Sequence, residues 1–205
     1  MGKSEAMTLR QALNRLAVYC GSATPADPRY IESARIVGRT LAHRGIGVVY
    51  GGGRLGLMGA LATAALEAGG EVVGVIPEAL VGGEVANTDC TELRVVANMH
   101  QRKQAFTDLS DGFLTIPGGV GTMDELWEAV SWAQLGYHAK PVGLWNVAGF
   151  FDHLLTFNAH MIETGFIRTA HAGIIIAEDE LDALLDRMAA HIPHTPIFAM
   201  KAEDL

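Results

Sequence analysis

Cysteine is nearly absent from this chain: 205 residues contain only Cys20 and Cys90. They are far apart and form no C-x-x-C pair, which argues against a disulfide framework and against a cysteine-based zinc or redox motif. Lysine is also sparse, at Lys3, Lys103, Lys140 and Lys201, and the net charge is −8. A nucleic acid polymer, which usually meets a basic stripe, is not an expected partner. A small anion remains open, because backbone dipoles and one or two cations can be focused at a site. No apolar run approaches the roughly 20 residues of a membrane span, so no membrane partner is expected. Residues 1–14 carry Lys3, Glu5 and Arg10 without an apolar stretch, so no secretory leader is expected and the cytoplasm is the expected location. The eight histidines form no HExxH-like cluster, and no metal is expected.

Apolar residues are abundant, at 49% with a mean hydropathy of +0.22. That excess implies a sheet covered on both faces, a buried subunit interface, or both. The length fits one domain over 1–205. Short β-type runs alternate with helical stretches. The runs are Arg15–Cys20, Ile46–Tyr50, Glu71–Ile76, Leu93–Val96, Gly112–Ile116, Pro141–Trp145 and Gly173–Ala177. Between them, Asp27 reads as an N-cap with Pro28 at the first helical position, and Ile31, Ala34, Val37 and Leu41 follow at helical spacing until Gly45. Further helices are expected at Leu57–Ala68, Met99–Leu109, Thr122–Leu135, within Gly149–Thr164, and at Asp179–His191. Such alternation predicts an α/β, Rossmann-like three-layer fold: a mainly parallel sheet with helices on both faces. Ligands then bind in the turns that follow the strands.

Three of those turns stand out. Cys20-Gly21-Ser22 follows the first strand and offers a close backbone approach and a hydroxyl, though an ordinary βα turn looks the same. Gly51–Gly59 contains G-x-G-x-x-G, with Gly52 and Gly53 in its first part. A dinucleotide fingerprint needs an acid at the end of the next strand, and Glu71 instead begins it. The turn reads better as facing phosphate or sugar, with tight helix–strand packing as the competing explanation. The third turn, Pro117-Gly118-Gly119-Val120-Gly121-Thr122-Met123-Asp124-Glu125, follows a buried strand and opens a helix, an arrangement suited to an anion. Thr122 and Glu125 also match a T-x-x-E capping box. Beside a helix N-terminus the Glu125 carboxylate is expected to stay ionised. Arg102 and Lys103 form an adjacent cationic pair, with Arg102 the better candidate for a bidentate contact.

The run Pro117–Glu125 (PGGxGTxxE), preceded by Met99–Lys103 (MHxRK), resembles the LOG family of cytokinin riboside 5′-monophosphate phosphoribohydrolases, often mislabelled lysine decarboxylases. Val18–Ser22, Tyr50–Gly59, Gly74–Pro77 and Trp132–Gly143 match as well, so the resemblance runs from about Arg15 to about Ile176. It implies that Arg102 and Glu125 are the catalytic pair. It implies that Glu84, Arg102, Lys103 and Gly118–Asp124 line a nucleotide site, with Ser131 near it, and that the protein is a homodimer whose site draws on both subunits. The stretch Ala79–Thr91 departs from the plant pattern around Glu84, which leaves the base preference open.

The expected reaction is hydrolysis of the N-glycosidic bond of a nucleoside 5′-monophosphate, without a cofactor, through an oxocarbenium-like sugar. In it Glu125 serves the ribose and the attacking water, and Gly118–Thr122 holds the phosphate. Arg102 either orients Glu125 or stabilises the departing base. Two other readings compete. A pyridoxal-phosphate decarboxylase would need a buried Schiff-base lysine, for which Lys103 and Lys140 are the internal candidates. A nucleotide-sensing or carrier module could use the same fold without chemistry.

Overall fold

The computed structural model describes residues 12–81 and 86–198. Seven strands form one sheet: β1 (Arg15–Tyr19), β2 (Gly47–Tyr50), β3 (Val72–Pro77), β4 (Glu92–Val96), β5 (Gly112–Thr115), β6 (Val142–Trp145) and β7 (Ile175–Glu178). Their order is β4-β3-β2-β1-β5-β6-β7 and every pairing is parallel. Parallel neighbours require crossovers, and helices supply them: α1 (Pro28–His43), α2 (Gly56–Glu67), the single turn α3 (Glu78–Val81), α4 (Met99–Leu109), α5 (Val120–Leu135) and α6 (Asp152–Glu163); α7 (Leu181–Ala189) follows the last strand. This is the expected α/β layering, with boundaries shifted by one or two residues.

Alternation along β1 divides the core in two. Leu16, Val18 and Cys20 face one cluster, built with residues of α1, α2 and α7, including Val37, Leu61 and Leu184. Ala17 and Tyr19 face the other, built on Phe106 of α4 and on Leu126, Ala129 and Val130 of α5. Period-two side-chain alternation is what allows a single strand to serve both layers. α1 starts as the sequence predicts: the Asp27 carboxylate accepts from the Arg29 N–H at 2.9 Å, with Pro28 at the helix start. Gly38 permits α1 to lie directly on the α2 backbone, since a Cβ there would press on the Ala65 nitrogen at 2.9 Å. No described helix is long and apolar enough to cross a membrane.

Strand order reverses at β1, which sends its successor β2 to one side and receives β5 on the other. The crevice above the carboxyl ends of β1 and β5 is therefore the switch point, where open α/β sheets take their ligands.

Candidate active site

The turns after β1 and β5 touch. The Gly21 N–H donates to the Pro117 carbonyl at 3.1 Å. A Cβ on Gly21 would meet the Gly118 Cα at 3.3 Å, and one on Gly118 would overlap the Thr122 side chain. Packing therefore explains Gly118. It does not explain Gly119 or Gly121, because nothing lies within 4 Å of a Cβ built on either. Both instead border a cavity of about 520 Å³, a size typical of small-molecule sites.

α5 begins earlier than the sequence suggests. Gly119 is its N-cap, without any side-chain capping bond, and the Met123 N–H makes its first turn by donating to the Gly119 carbonyl at 3.1 Å. Thr122 and Glu125 lie inside the helix, so the T-x-x-E match is not a capping box. The first-turn N–H groups of Val120, Gly121 and Thr122 have no intrahelical acceptor, and these three residues line the cavity. A reciprocal cap of the expected kind occurs on α4. The Asn98 side chain accepts from the Gln101 N–H at 3.0 Å, and the Gln101 side chain accepts from the Ala97 N–H at 3.0 Å.

That cap sets the start of α4, and Arg102 follows at once. Its guanidinium is buried and spans the ends of two strands. Nε donates to the Val75 carbonyl at 3.2 Å and Nη2 to the Gly51 carbonyl at 3.2 Å, while the group lies 5.3 Å from the centre of the Phe106 ring. A Cβ at position 51 would overlap the guanidinium, so a larger residue there would displace Arg102 from this position. Nη1 reaches Glu125 Oε1 at 3.8 Å, too long for a direct hydrogen bond, so the pair is an open contact facing the cavity. Glu125 is only 7% exposed. Burial raises its pKa to about 7, Arg102 and Lys103 oppose the rise, and Asp124 and Glu128 add to it. Burial thus outweighs what the helix end supplies, and the carboxylate is ionised only in part near neutral pH, where the sequence pointed to a fully ionised group.

Of the residues expected at the site, Gly21, Ser22, Gly53, Arg102, Gly119, Val120, Gly121, Thr122 and Glu125 line this cavity. Gly52 and Gly118 belong to the same turns but are not part of its wall. Lys103 is turned away, paired with Asp124 Oδ2 and Glu128 Oε2, each at 2.9 Å. Lys103 and Asp124 thus satisfy each other and clamp α4 to α5. Ser131 is exposed on α5, more than one turn beyond Glu125. Glu84 lies outside the described residues. Nothing in the sequence singles out the apolar wall: Leu55, Met58, Ile76 and Leu80. The only signal was Leu55 and Leu80 lying in post-strand segments, where a leucine is ordinarily read as core. Glu71 confirms the objection to a dinucleotide fingerprint. It sits just before β3, holding Arg15 at 2.7–2.8 Å, at the end of the sheet opposite the cavity.

Comparisons with known proteins agree with this geometry. A family model described as "Possible lysine decarboxylase" matches residues 58–188, more than half of the chain. Cytokinin riboside 5′-monophosphate phosphoribohydrolase LOG of Oryza sativa subsp. japonica is 42% identical over 184 residues, covering 90% of this chain and 76% of that protein. LOG1 of Arabidopsis thaliana, of the same described activity, is 38% identical over 200 residues, covering 97% of this chain and 94% of that one. Among solved structures, the Moco carrier protein of Chlamydomonas reinhardtii superposes with a TM-score of 0.66 at 20% identity, over 87% of this chain and 99% of that one. The molybdenum cofactor binding protein of Rippkaea orientalis gives 0.65 at 18% identity, over 86% and 95%. These two speak to the fold alone. The decarboxylase description finds no support in the cavity. No lysine lines it; Lys103 is held by two carboxylates, and Lys140 Nζ donates to the Thr107 carbonyl. Among the described residues there is thus no Schiff-base lysine for a pyridoxal cofactor. Motifs, sheet order and relatives converge, and the chain belongs to the LOG family.

Proposed function

We propose that this protein is an N-glycosidase that hydrolyses nucleoside 5′-monophosphates, such as cytokinin riboside 5′-monophosphate or AMP, to free base and ribose 5-phosphate. The observation that carries the reading is the buried Arg102–Glu125 pair, set 3.8 Å apart beside the uncapped N-terminus of α5. The relatives' described activity points the same way.

Each part of the reaction has a place in the cavity. The 5′-phosphate goes to the first turn of α5, where backbone N–H groups, the helix dipole and the Thr122 hydroxyl converge. Gly119 and Gly121 leave room for its oxygens. Glu125 faces the ribose. As a carboxylate it stabilises the positive charge that develops on the sugar, and it accepts one proton from the attacking water. The water oxygen bonds to C1′, the C1′–N bond breaks with its electron pair leaving on the base, and the base takes up a proton from solvent, balanced when Glu125 releases the one it took from the water. Arg102, fixed by two strand-end carbonyls, holds Glu125 in place or steadies the leaving base. The apolar wall of Leu55, Met58, Ile76 and Leu80 suits a heterocycle and an apolar substituent on it. Lys103, Asp124 and Ser131 then support α5 rather than touch the nucleotide.

We also infer a cytoplasmic homodimer. Its support is the apolar excess together with exposed Val120, which is 87% accessible at the mouth of the cavity. The decisive experiment incubates the protein with a panel of nucleoside monophosphates and nucleosides and measures free base by chromatography. Base is expected from monophosphates and far less from nucleosides, because remote phosphate binding energy is used at C1′. Equal rates with AMP and adenosine would remove the phosphate assignment. Nucleotide binding without any base release would make the chain a carrier or sensor.

A further inference from the structure

Behind the cavity lies a polar network that the reaction does not touch. Asn87 is 6% exposed, and its backbone N–H and both polar atoms of its side chain are engaged. Its backbone N–H donates to the Gly52 carbonyl at 2.8 Å, its Nδ2 donates to the Tyr50 hydroxyl at 3.0 Å, and its Oδ1 accepts from the Asp89 N–H at 3.2 Å. Tyr50 is fully buried, and its hydroxyl also meets Cys90 Sγ at 3.3 Å. Burial holds that phenol well above its ordinary range, so it stays protonated. An antiparallel bridge between Gly53 and Ala86 extends the clamp by one residue.

The residue enclosed by these bonds is Gly51. Asn87 grips Tyr50 on one side of it and Gly52 on the other, and the Gly51 carbonyl is an acceptor for the Arg102 guanidinium. The turn cannot hold that carbonyl by itself. Residues 51–53 are all glycine, and Gly52 stands at φ +72°. A run of glycines has the largest conformational freedom a chain can have, so the orientation of the Gly51 peptide has to be imposed from outside. We propose that Asn87 is a positioning residue of the active site, fixing the 51–53 turn so that the Gly51 carbonyl aims Arg102 at Glu125.

This rests on the hydrolase reading above, and one set of measurements separates the two. Without the clamp, Arg102 relaxes away from Glu125 while the α5 end, on the far wall, keeps its hold on the phosphate. Asn87→Ala is therefore expected to lower kcat by roughly tenfold to a hundredfold, the scale of a small misplacement in a site, with KM for the monophosphate nearly unchanged. The pH profile supplies a readout that general destabilisation would not move. Glu125 faces Arg102 and Lys103 from α4, Asp124 and Glu128 from its own helix, Tyr19 from β1 and Cys20 directly after it. Of these, Arg102 is the strongest influence lowering its pKa. Loosening Arg102 should shift the acid limb of kcat to higher pH. Tyr50→Phe removes one bond of the clamp while keeping the ring, and is expected to give the same pattern, weaker, even where Asn87→Ala fails to fold. If the unmodified protein releases no base from any monophosphate, the hydrolase reading is lost. If it does, and folded Asn87→Ala or Tyr50→Phe keeps normal kcat and an unmoved acid limb, the assignment of Asn87 is wrong.

Discussion

Glu125 sets the expected pH behaviour. Its pKa in the fold is about 7, against 4.5 for the exposed side chain, chiefly because burial penalises the charge. The folded state thus binds a proton that the unfolded state has released, and stability falls as pH rises from about 4.5 to about 7. Glu125→Gln removes that cost. The variant should melt higher than the unmodified protein at pH 8, by roughly 2–4 °C per kcal/mol recovered, with the difference fading toward pH 4.5. The same variant should lose most hydrolysis, and the unmodified enzyme should show an acid limb in kcat/KM near 7. Normal turnover by Glu125→Gln would reduce Glu125 to a structural role. The adjacent cations should part company. Arg102→Ala strands a carboxylate at the cavity, whereas Lys103→Ala only unclamps two helices, so the first should cost far more kcat. A larger loss from Lys103→Ala would reverse that ranking. Sequence alone pairs these two residues because they are neighbours. On a helix, neighbours point about 100° apart, and the fold sends one to the cavity and the other to Asp124 and Glu128.

The start of α5 bears the ligand-binding claim among the elements. Gly121 lies in the first helical turn with free space around its missing side chain. Alanine there should improve the helix by up to about 1 kcal/mol while placing a methyl where the phosphate goes. Gly121→Ala is expected to raise the melting temperature and also raise KM for the monophosphate about tenfold, near 1.4 kcal/mol. A variant that is more stable and binds as before would empty the α5 site of meaning. Much of this element was readable beforehand, because a strand, a glycine turn and a helix leave little choice of geometry. The seven strands and the Asp27 cap were readable for the same local reasons. What local rules could not supply was which residue starts the helix, since Gly119 and Thr122 are both plausible caps and only tertiary packing of Thr122 on Gly118 decides between them. The raised pKa of Glu125 escapes local rules on the same account: the dipole is local, and burial is not. The apolar wall at Met58 and Ile76 stayed hidden because a buried-looking side chain inside a helix or a strand gives no sign of which cavity it borders.

At the level of the whole molecule, the outer side of α5 is incompletely covered. Leu126, Ala129 and Val130 are buried, whereas Met123, Trp127 and Ala133 pack on the same cluster only in part. The neighbouring α6 lends Leu154 and Leu155 to that cluster, yet none of its own residues is buried. One helix of the same chain therefore does not close the surface, which favours a second copy. Light scattering of active protein at low micromolar concentration should give a mass of two 21.8 kDa chains; a fully active particle of one chain rules the dimer out. The order of strands has a consequence in time as well as in space. β1 to β4 and then α4 are laid down in sequence on one flank of the sheet, so a growing chain can assemble that flank and place Arg102 early. Glu125 arrives only after β5 has paired with the other side of β1, a contact between segments far apart in sequence and therefore slow to close. The two halves of the chemistry are thus made at different moments, and the chain carries an arginine with nothing to face until the last flank docks.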